Sequence, residues 1–472
     1  MARRRPHNVL IFLVDGLRAD ALGCGGSPLA LTPNIDALAD GGVRFERGFA
    51  QETVCMPSRA SLFTGRYPHV HGVWANGVSL PTSETTLVHV LSANGYRTCA
   101  AGKLHLACQH GDGYPPRLKS GETHYGFQEL RLNENVIGEE YIQFVEQQFP
   151  DLLDTARTRG PMPEEAHELT WIVDQAIDFV RRSVREDAPF FCFCSFHELS
   201  PPCHPPIGYE DRCRPEDVPP PKQREGELDT KPPWLKACHE GQLRLGRYPD
   251  ESRRRQLAAG YFNQLAFIDD RFGRLLTALD ETGASEDTVV LFTSDHGLLL
   301  NDHFQWRHGP FLYDTVINVP MIWRVPGVAQ AGHATSSLAE MVDLCPTILE
   351  LCGIDSPPGM QGVSLCPLLK EPTSASGKHC VLAEVREAPE LQARGLDPTG
   401  FRAVALRTER WKLIHYPGRP YGELYDLTRD PDEFDNLWSN PQCRAVRTDL
   451  ERRLLDRLIE TQEPLPRREH NW

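Results

Sequence analysis

No apolar stretch in this chain approaches the roughly 20 residues a helix needs to cross a bilayer, so none of it is expected to span a membrane. No two of its 14 cysteines stand in C-x-x-C spacing, which leaves a zinc ribbon without support. Positive charge is in short supply, with 50 Lys and Arg against 65 Asp and Glu and a net charge of −15. That balance argues against nucleic acid as a partner. Internal repeats are missing as well. Arg3-Arg4-Arg5 is a short basic start that reads as a solvated terminus. The apolar run Val9–Val14 follows it, too short for a signal-peptide core and leading straight into Asp15, so it reads as a buried strand. Without a secretory leader the scattered cysteines are not expected to form a disulfide framework. The expectation is a soluble, cytoplasmic protein, with homo-oligomers left open.

What is present is a chain long enough for one large domain and a smaller one. Strands are expected at His7–Val14, Val43–Phe49, Tyr96–Ala101, Pro189–Phe196 and Val289–Thr293. Helices are expected from Pro33 to Asp40 behind Thr32, over Thr86–Ala93, over His167–Val184 and over Arg253–Leu279. In the last of these, Leu257, Tyr261, Leu265, Ile268, Phe272, Leu275 and Leu279 recur at helical spacing, as core contacts do. Strands alternating with helices predict an α/β sheet with its site along the C-terminal edge. Ser200–Tyr248 is Pro-rich, charged and aperiodic, and reads as a wall or lid over that site. A soft boundary falls in Glu371–Lys378, dividing residues 1–370 from a C-terminal α+β subdomain over 371–472. Its strands are expected at His379–Val385, Phe401–Arg407, Trp411–Tyr416 and Glu423–Leu427, with a terminal helix over Val446–Glu460. The tail Pro464–Trp472 reads as shaping substrate access or subunit contacts.

The run Cys55-Met56-Pro57-Ser58-Arg59-Ala60-Ser61-Leu62-Phe63-Thr64-Gly65-Arg66 carries the most information. Pro57 suits a first helical position, so Cys55 is expected just before a helix start, where free N–H groups and the positive dipole end converge. Arg59, one turn on, faces back toward it. Asp15 follows the first strand, and Asp295 and His296 follow a later one. Carboxylates at neighbouring strand ends are poor core residues unless paired or bound to a metal. In Gly102-Lys103-Leu104-His105, an extended segment would turn Lys103 and His105 to the same side.

The Cys55 run resembles the sulfatase signature C-x-P-S-R followed by T-G-R, and Gly102-Lys103-Leu104-His105 resembles that family's G-K-x-H. Thr32-Pro33-Asn34-Ile35-Asp36, Asp343-Leu344-Cys345-Pro346-Thr347, Gln361-Gly362-Val363-Ser364-Leu365 and Leu424-Tyr425-Asp426-Leu427 follow in family order. The resemblance spans nearly the whole chain. It implies an alkaline-phosphatase-like α/β fold, a large mixed sheet flanked by helices. It also implies oxidation of Cys55 to formylglycine by a formylglycine-generating enzyme or an equivalent maturase. In that family the hydrated aldehyde is the nucleophile. The metal would be one divalent ion held by Asp15, Asp295, His296 and the modified Cys55, with Arg59 and Lys103 stabilising the transferred group and His105 reaching the nucleophile. Sulfatases at large imply Ca²⁺; few carboxylates and an imidazole suit Mn²⁺ or Zn²⁺ better. Three positions depart from the pattern. Gly16 stands where the family often has a second acid. Ser200 stands where it has a histidine acting on the leaving group, with His197 and His204 nearby. His308, beside Arg307, stands where it has a lysine. The leaving-group acid stays open among His197, His204 and His308. The substrate implied is a small anionic ester, first a sulfate ester, alternatively a phosphonate monoester or phosphodiester. A silent, ligand-binding homologue is a third reading.

Overall fold

The computed structural model describes residues 7–109, 118–374 and 377–463. Arg3-Arg4-Arg5 and Pro464–Trp472 lie outside the described residues. The main sheet is built from β1 (Asn8–Val14), β2 (Val43–Phe49), β3 (Arg97–Gly102), β4 (Glu129–Leu132), β5 (Phe190–Phe196) and β6 (Thr288–Ser294). A two-residue ribbon, β7 (Leu299–Leu300) with β8 (Trp306–Arg307), precedes β9 (Asn318–Arg324) and β10 (His333–Glu340). The main sheet has the order β10-β2-β9-β6-β1-β5-β3-β4. It is mixed because β9 alone runs against its neighbours β6 and β2; the other pairs are parallel.

The central strands are buried on both faces, which is why they read as unbroken apolar runs. Alternate residues of β1 serve opposite layers. Leu10, Phe12 and Val14 pack with the helices Glu168–Arg185 and Glu251–Glu281. Val9, Ile11 and Leu13 pack with the helices Cys55–Thr64, Leu87–Ala93 and Leu344–Leu351. Phe12 meets the rings of Phe196, Phe272 and Phe292 at 5.0, 4.9 and 5.8 Å, and burying each such ring stabilises the fold by about 1.5–3 kcal/mol. The helix Pro33–Asp40 begins where Thr32 and Pro33 predict. Its cap is Asp269 of the long helix, whose carboxylate accepts from the N–H groups of Asn34 (3.1 Å) and Ile35 (2.8 Å).

A second, four-stranded antiparallel sheet follows: β11 (Cys380–Arg386), β12 (Arg402–Thr408), β13 (Trp411–His415) and β14 (Gly422–Asp426), with the helix Arg444–Glu460 packed against it. The chain thus has the expected α/β, alkaline-phosphatase-like architecture with a smaller C-terminal antiparallel subdomain. No helix among the described residues is long and apolar enough to cross a membrane, and all 14 cysteines are free thiols. Ser200–Tyr248 is less irregular than its composition predicts: it contains the helix Pro233–Arg244, which opens on a proline pair and buries Leu235 and Cys238.

Candidate active site

Parallel strands in register deliver the polar residues to one edge. Val14 lies beside Phe196 and Ser294, and Gly102 beside Ser195, so Asp15, Lys103 and Asp295 leave the sheet at one level. Gly102 (φ 88°) makes this fit possible, because a Cβ there would lie 1.9 Å from the Ser195 carbonyl oxygen. β2 runs the same way and passes the chain through Ala50–Val54 to the Cys55–Thr64 helix. That helix starts two residues earlier than Pro57 predicts: Cys55 is its first residue and Val54 (φ −135°, ψ 159°) its cap. Pro57 still falls among the first residues, whose N–H groups have no helical partner. Glu52 fixes the entry, its Oε2 accepting from the Val54 N–H at 2.7 Å.

The whole helix is buried, with Cys55 only 4% exposed. Cys55 Sγ lies 3.3 Å from His296 Nε2. Arg59, at i+4 on the same face, ties the edge together. Its Nε donates to Asp295 Oδ2 (2.7 Å), one terminal nitrogen donates to the Lys103 carbonyl (2.6 Å) and Ser195 Oγ (3.0 Å), and the other lies 3.5 Å from Asp15 Oδ2. Lys103 Nζ donates to Asp15 Oδ2 at 2.7 Å. Ser58 Oγ donates to the Asp295 carbonyl at 2.5 Å. His296 is oriented from behind by Nδ1, 2.9 Å from the Gly297 carbonyl, which turns Nε2 toward the cluster in the manner of a buried metal ligand.

The buried groups of the cluster hold one another in their charged forms. Burial opposes charge on Asp15, but Lys103, His296 and Arg59 outweigh it and hold the carboxyl well below its ordinary range. Burial likewise opposes charge on His296, and Asp295, Cys55 and Asp15 overcome it, raising the ring to about 10. One ligand atom each from Asp15, Cys55, Asp295 and His296 lies within 4.8 Å of the others. Two carboxylates, an imidazole and a thiol position around one point make a donor set that fits a divalent ion.

The other expected residues divide. His105 does not continue an extended segment from Lys103, because β3 ends at Gly102 and His105 takes φ 53°. It stays within the field of the cluster: burial, then Lys103 and Arg59, push its ring well below the ordinary value, and its Nδ1 is buried without a hydrogen-bond partner. His308 lies against His296, with ring centroids 4.7 Å apart and the planes tilted by 31°. Burial and His296 keep it neutral, and its Nδ1 too lacks a partner. Arg307 is exposed, at φ 66°. Ser200 is half-buried after Leu199, which takes φ 107°. His204 is exposed, its carbonyl 3.2 Å from His167 Nε2. His197 is turned away to Glu168, whose Oε1 lies 3.1 Å from its Nε2. At Gly16 (φ 73°) a Cβ would meet Leu298 Cδ2 at 3.2 Å and the Leu199 carbonyl group at 3.8 Å, so a side chain where a second acid would stand is strained.

Three contributors carry no sequence signal. Ser195 hides in an apolar strand. Glu52 precedes the motif, and burial, reinforced by Glu390, pushes its carboxyl well up. Arg394 comes from the C-terminal subdomain, donating to the carbonyls of Trp306 (3.1 Å) and His308 (2.9 Å) and lying 5.0 Å from the Phe311 ring centre.

The eight-stranded mixed sheet, with these buried charged residues along one edge, has the alkaline-phosphatase-like architecture. Within that architecture the chain belongs to the sulfatase family, whose model, described as Sulfatase, matches residues 7–354. A second model, described as N-sulphoglucosamine sulphohydrolase, C-terminal, matches residues 302–460. The chain is 28% identical over 488 residues to an arylsulfatase of Clostridium perfringens, covering 97% of this chain and 95% of that protein. It is 27% identical over 470 residues to an ulvan-active sulfatase of Formosa agariphila, covering 98% and 83%. Its fold is similar to the phosphonate monoester hydrolase of Agrobacterium radiobacter, with TM-score 0.82, 24% identity and 98% and 97% of the two chains covered.

Proposed function

We propose that the protein hydrolyses sulfate esters with a nucleophile made from Cys55. The observation that carries this reading is the placement of that thiol: first residue of a buried helix, 3.3 Å from His296 Nε2 and one turn from the Arg59 that grips Asp295. Asp15, Asp295, His296 and the modified Cys55 would hold one divalent ion, of calcium, manganese or zinc type. When bound, such an ion supplies positive charge that acidifies a hydroxyl and neutralises a nonbridging oxygen.

The chain's own residues account for the rest. Arg59 and Lys103 bring two fixed cations to the transferred group. His105, neutral with Nδ1 free, takes a proton from the nucleophilic side chain. His308, neutral and held against His296, is the imidazole we assign to hydrogen-bond the leaving oxygen, which takes its proton from water; His197 is paired with Glu168 and Glu198, and His204 faces outward. Arg307 and Ser200 frame the mouth and select the alcohol. Sulfated compounds as substrates fit the names of the relatives. The imidazole among the metal ligands and a neutral histidine at 308 favour a second reading, a phosphonate monoester or phosphodiester hydrolase using the same apparatus.

Parallel rates on an aryl sulfate, an aryl phosphonate monoester and a phosphodiester rank these readings, and the sulfate ester is expected to turn over fastest. Peptide mass spectrometry of the same sample should find the Cys55 residue lighter than encoded. An active preparation with unmodified Cys55 overturns the mechanism. An inactive preparation without metal and with unmodified Cys55 marks a silent binding homologue.

A further inference from the structure

A second group of metal-ligating side chains lies outside the cluster around Cys55. Glu168 opens the helix Glu168–Arg185, and His197 and Glu198 follow β5. One ligand atom from each lies within 4.8 Å of the others. His197 Nε2 is 3.1 Å from Glu168 Oε1 and 3.4 Å from Glu198 Oε1. Despite those distances neither ring nitrogen makes a directed hydrogen bond, although the His197 side chain is only 5% exposed. An imidazole nitrogen ion-paired with two carboxylate oxygens at these separations also has the spacing of ligands around a point. Bonds of about 2.0 Å to a tetrahedral ion set neighbouring ligand atoms about 3.3 Å apart.

The surroundings support the same reading. Asn133 Nδ2 donates to the other Glu168 oxygen at 2.6 Å, and Arg159 Nε lies 3.4 Å from it. This leaves Oε1 for the ring, the arrangement by which supporting hydrogen bonds orient a ligating carboxylate. A small pocket lined by Arg159, His167, Glu168, Glu198 and His204 lies beside the group.

We propose that Glu168, His197 and Glu198 form a second, structural divalent-cation site, with zinc as its preferred ion and water completing the shell. Two carboxylates and one imidazole match zinc or manganese rather than the all-oxygen shell of calcium. Binding displaces the proton that otherwise balances the two acids. The ion pins Phe196–Leu199 to the helix start. That segment borders the first site, because the Asp15 N–H donates to the Phe196 carbonyl at 3.3 Å. The inference is independent of the reaction proposed above, since it concerns ion count rather than turnover.

The test is a titration of the chelator-stripped, full-length protein with zinc chloride, with bound metal counted after desalting. The wild type is expected to take up two ions per chain and Glu198→Gln one. Asp295→Asn, which disables the first site, is expected to keep one. Cobalt loaded into Asp295→Asn should show d–d absorption that vanishes in the Asp295→Asn/Glu198→Gln double variant. A Glu198→Gln protein that binds as many ions as the wild type overturns the site and leaves an ion pair only, whatever the first site holds. If Asp295→Asn fails to fold, the comparison of wild type with Glu198→Gln decides alone.

Discussion

At the scale of single residues, the departures from the family pattern are answered locally. Gly16 occupies the left-handed region with Leu298 and Leu199 against it, so restoring an acid does not restore a ligand. Gly16→Asp is expected to cost about 1–2 kcal/mol of stability without raising the metal content, as urea unfolding and metal analysis of the purified variant will read. His308 has no hydrogen bond to its Nδ1 and is located through its backbone, where Arg394 grips its carbonyl. Arg394→Met is expected to lower kcat about tenfold, equal to about 1.4 kcal/mol of barrier, with bound metal unchanged. Arg394→Lys should fall between the two, because lysine supplies charge without the planar fork. The Cys55, Lys103 and Asp295 segments were legible because each is a short run whose chemistry is local. Arg394 was not, because its partners lie 86 and 88 positions away and only the fold brings them together.

At the scale of elements, legibility followed burial. β1, β5 and β6 are buried throughout and read as apolar runs. β10 begins exposed and becomes buried toward its end, and its small polar residues carry no strand signal. β9 is apolar but contains Pro320, which speaks against a strand interior. The Lys103–His105 turn was misread because a positive φ at a histidine leaves no mark in the sequence. One short helix also carries a pH prediction. His71, at the end of Pro68–His71, is buried. Its Nδ1 accepts from the Val73 N–H at 3.1 Å and its Nε2 faces Ser61 Oγ at 3.1 Å. Burial and the nearby Arg66 push its pKa down to about 3. A ring depressed in the folded state costs nothing above the unfolded value, near 6.5. As pH falls below that, the unfolded chain takes up a proton the folded chain refuses, so stability drops until pH reaches about 3. Between pH 6.5 and 5 this amounts to about 2 kcal/mol. Urea unfolding at pH 7 and 5 is expected to show the loss, and His71→Gln, though less stable at pH 7, should show a shallower slope.

At the scale of the whole molecule, the charges of the cluster balance without an ion. Lys103 pairs with Asp15, and Arg59 with Asp295. Chelation is therefore expected to abolish turnover while leaving far-UV circular dichroism unchanged, and restoring the divalent ion should restore the rate. A collapse of the fold on chelation would contradict this balance. The cluster also draws on widely separated parts of the chain, from Asp15 near the start to Arg394 in the C-terminal subdomain, while Cys55 ends 4% exposed beneath them. Once that enclosure is complete, a second protein has no route to the thiol. The modification proposed for Cys55 would therefore have to take place before the segments around it close.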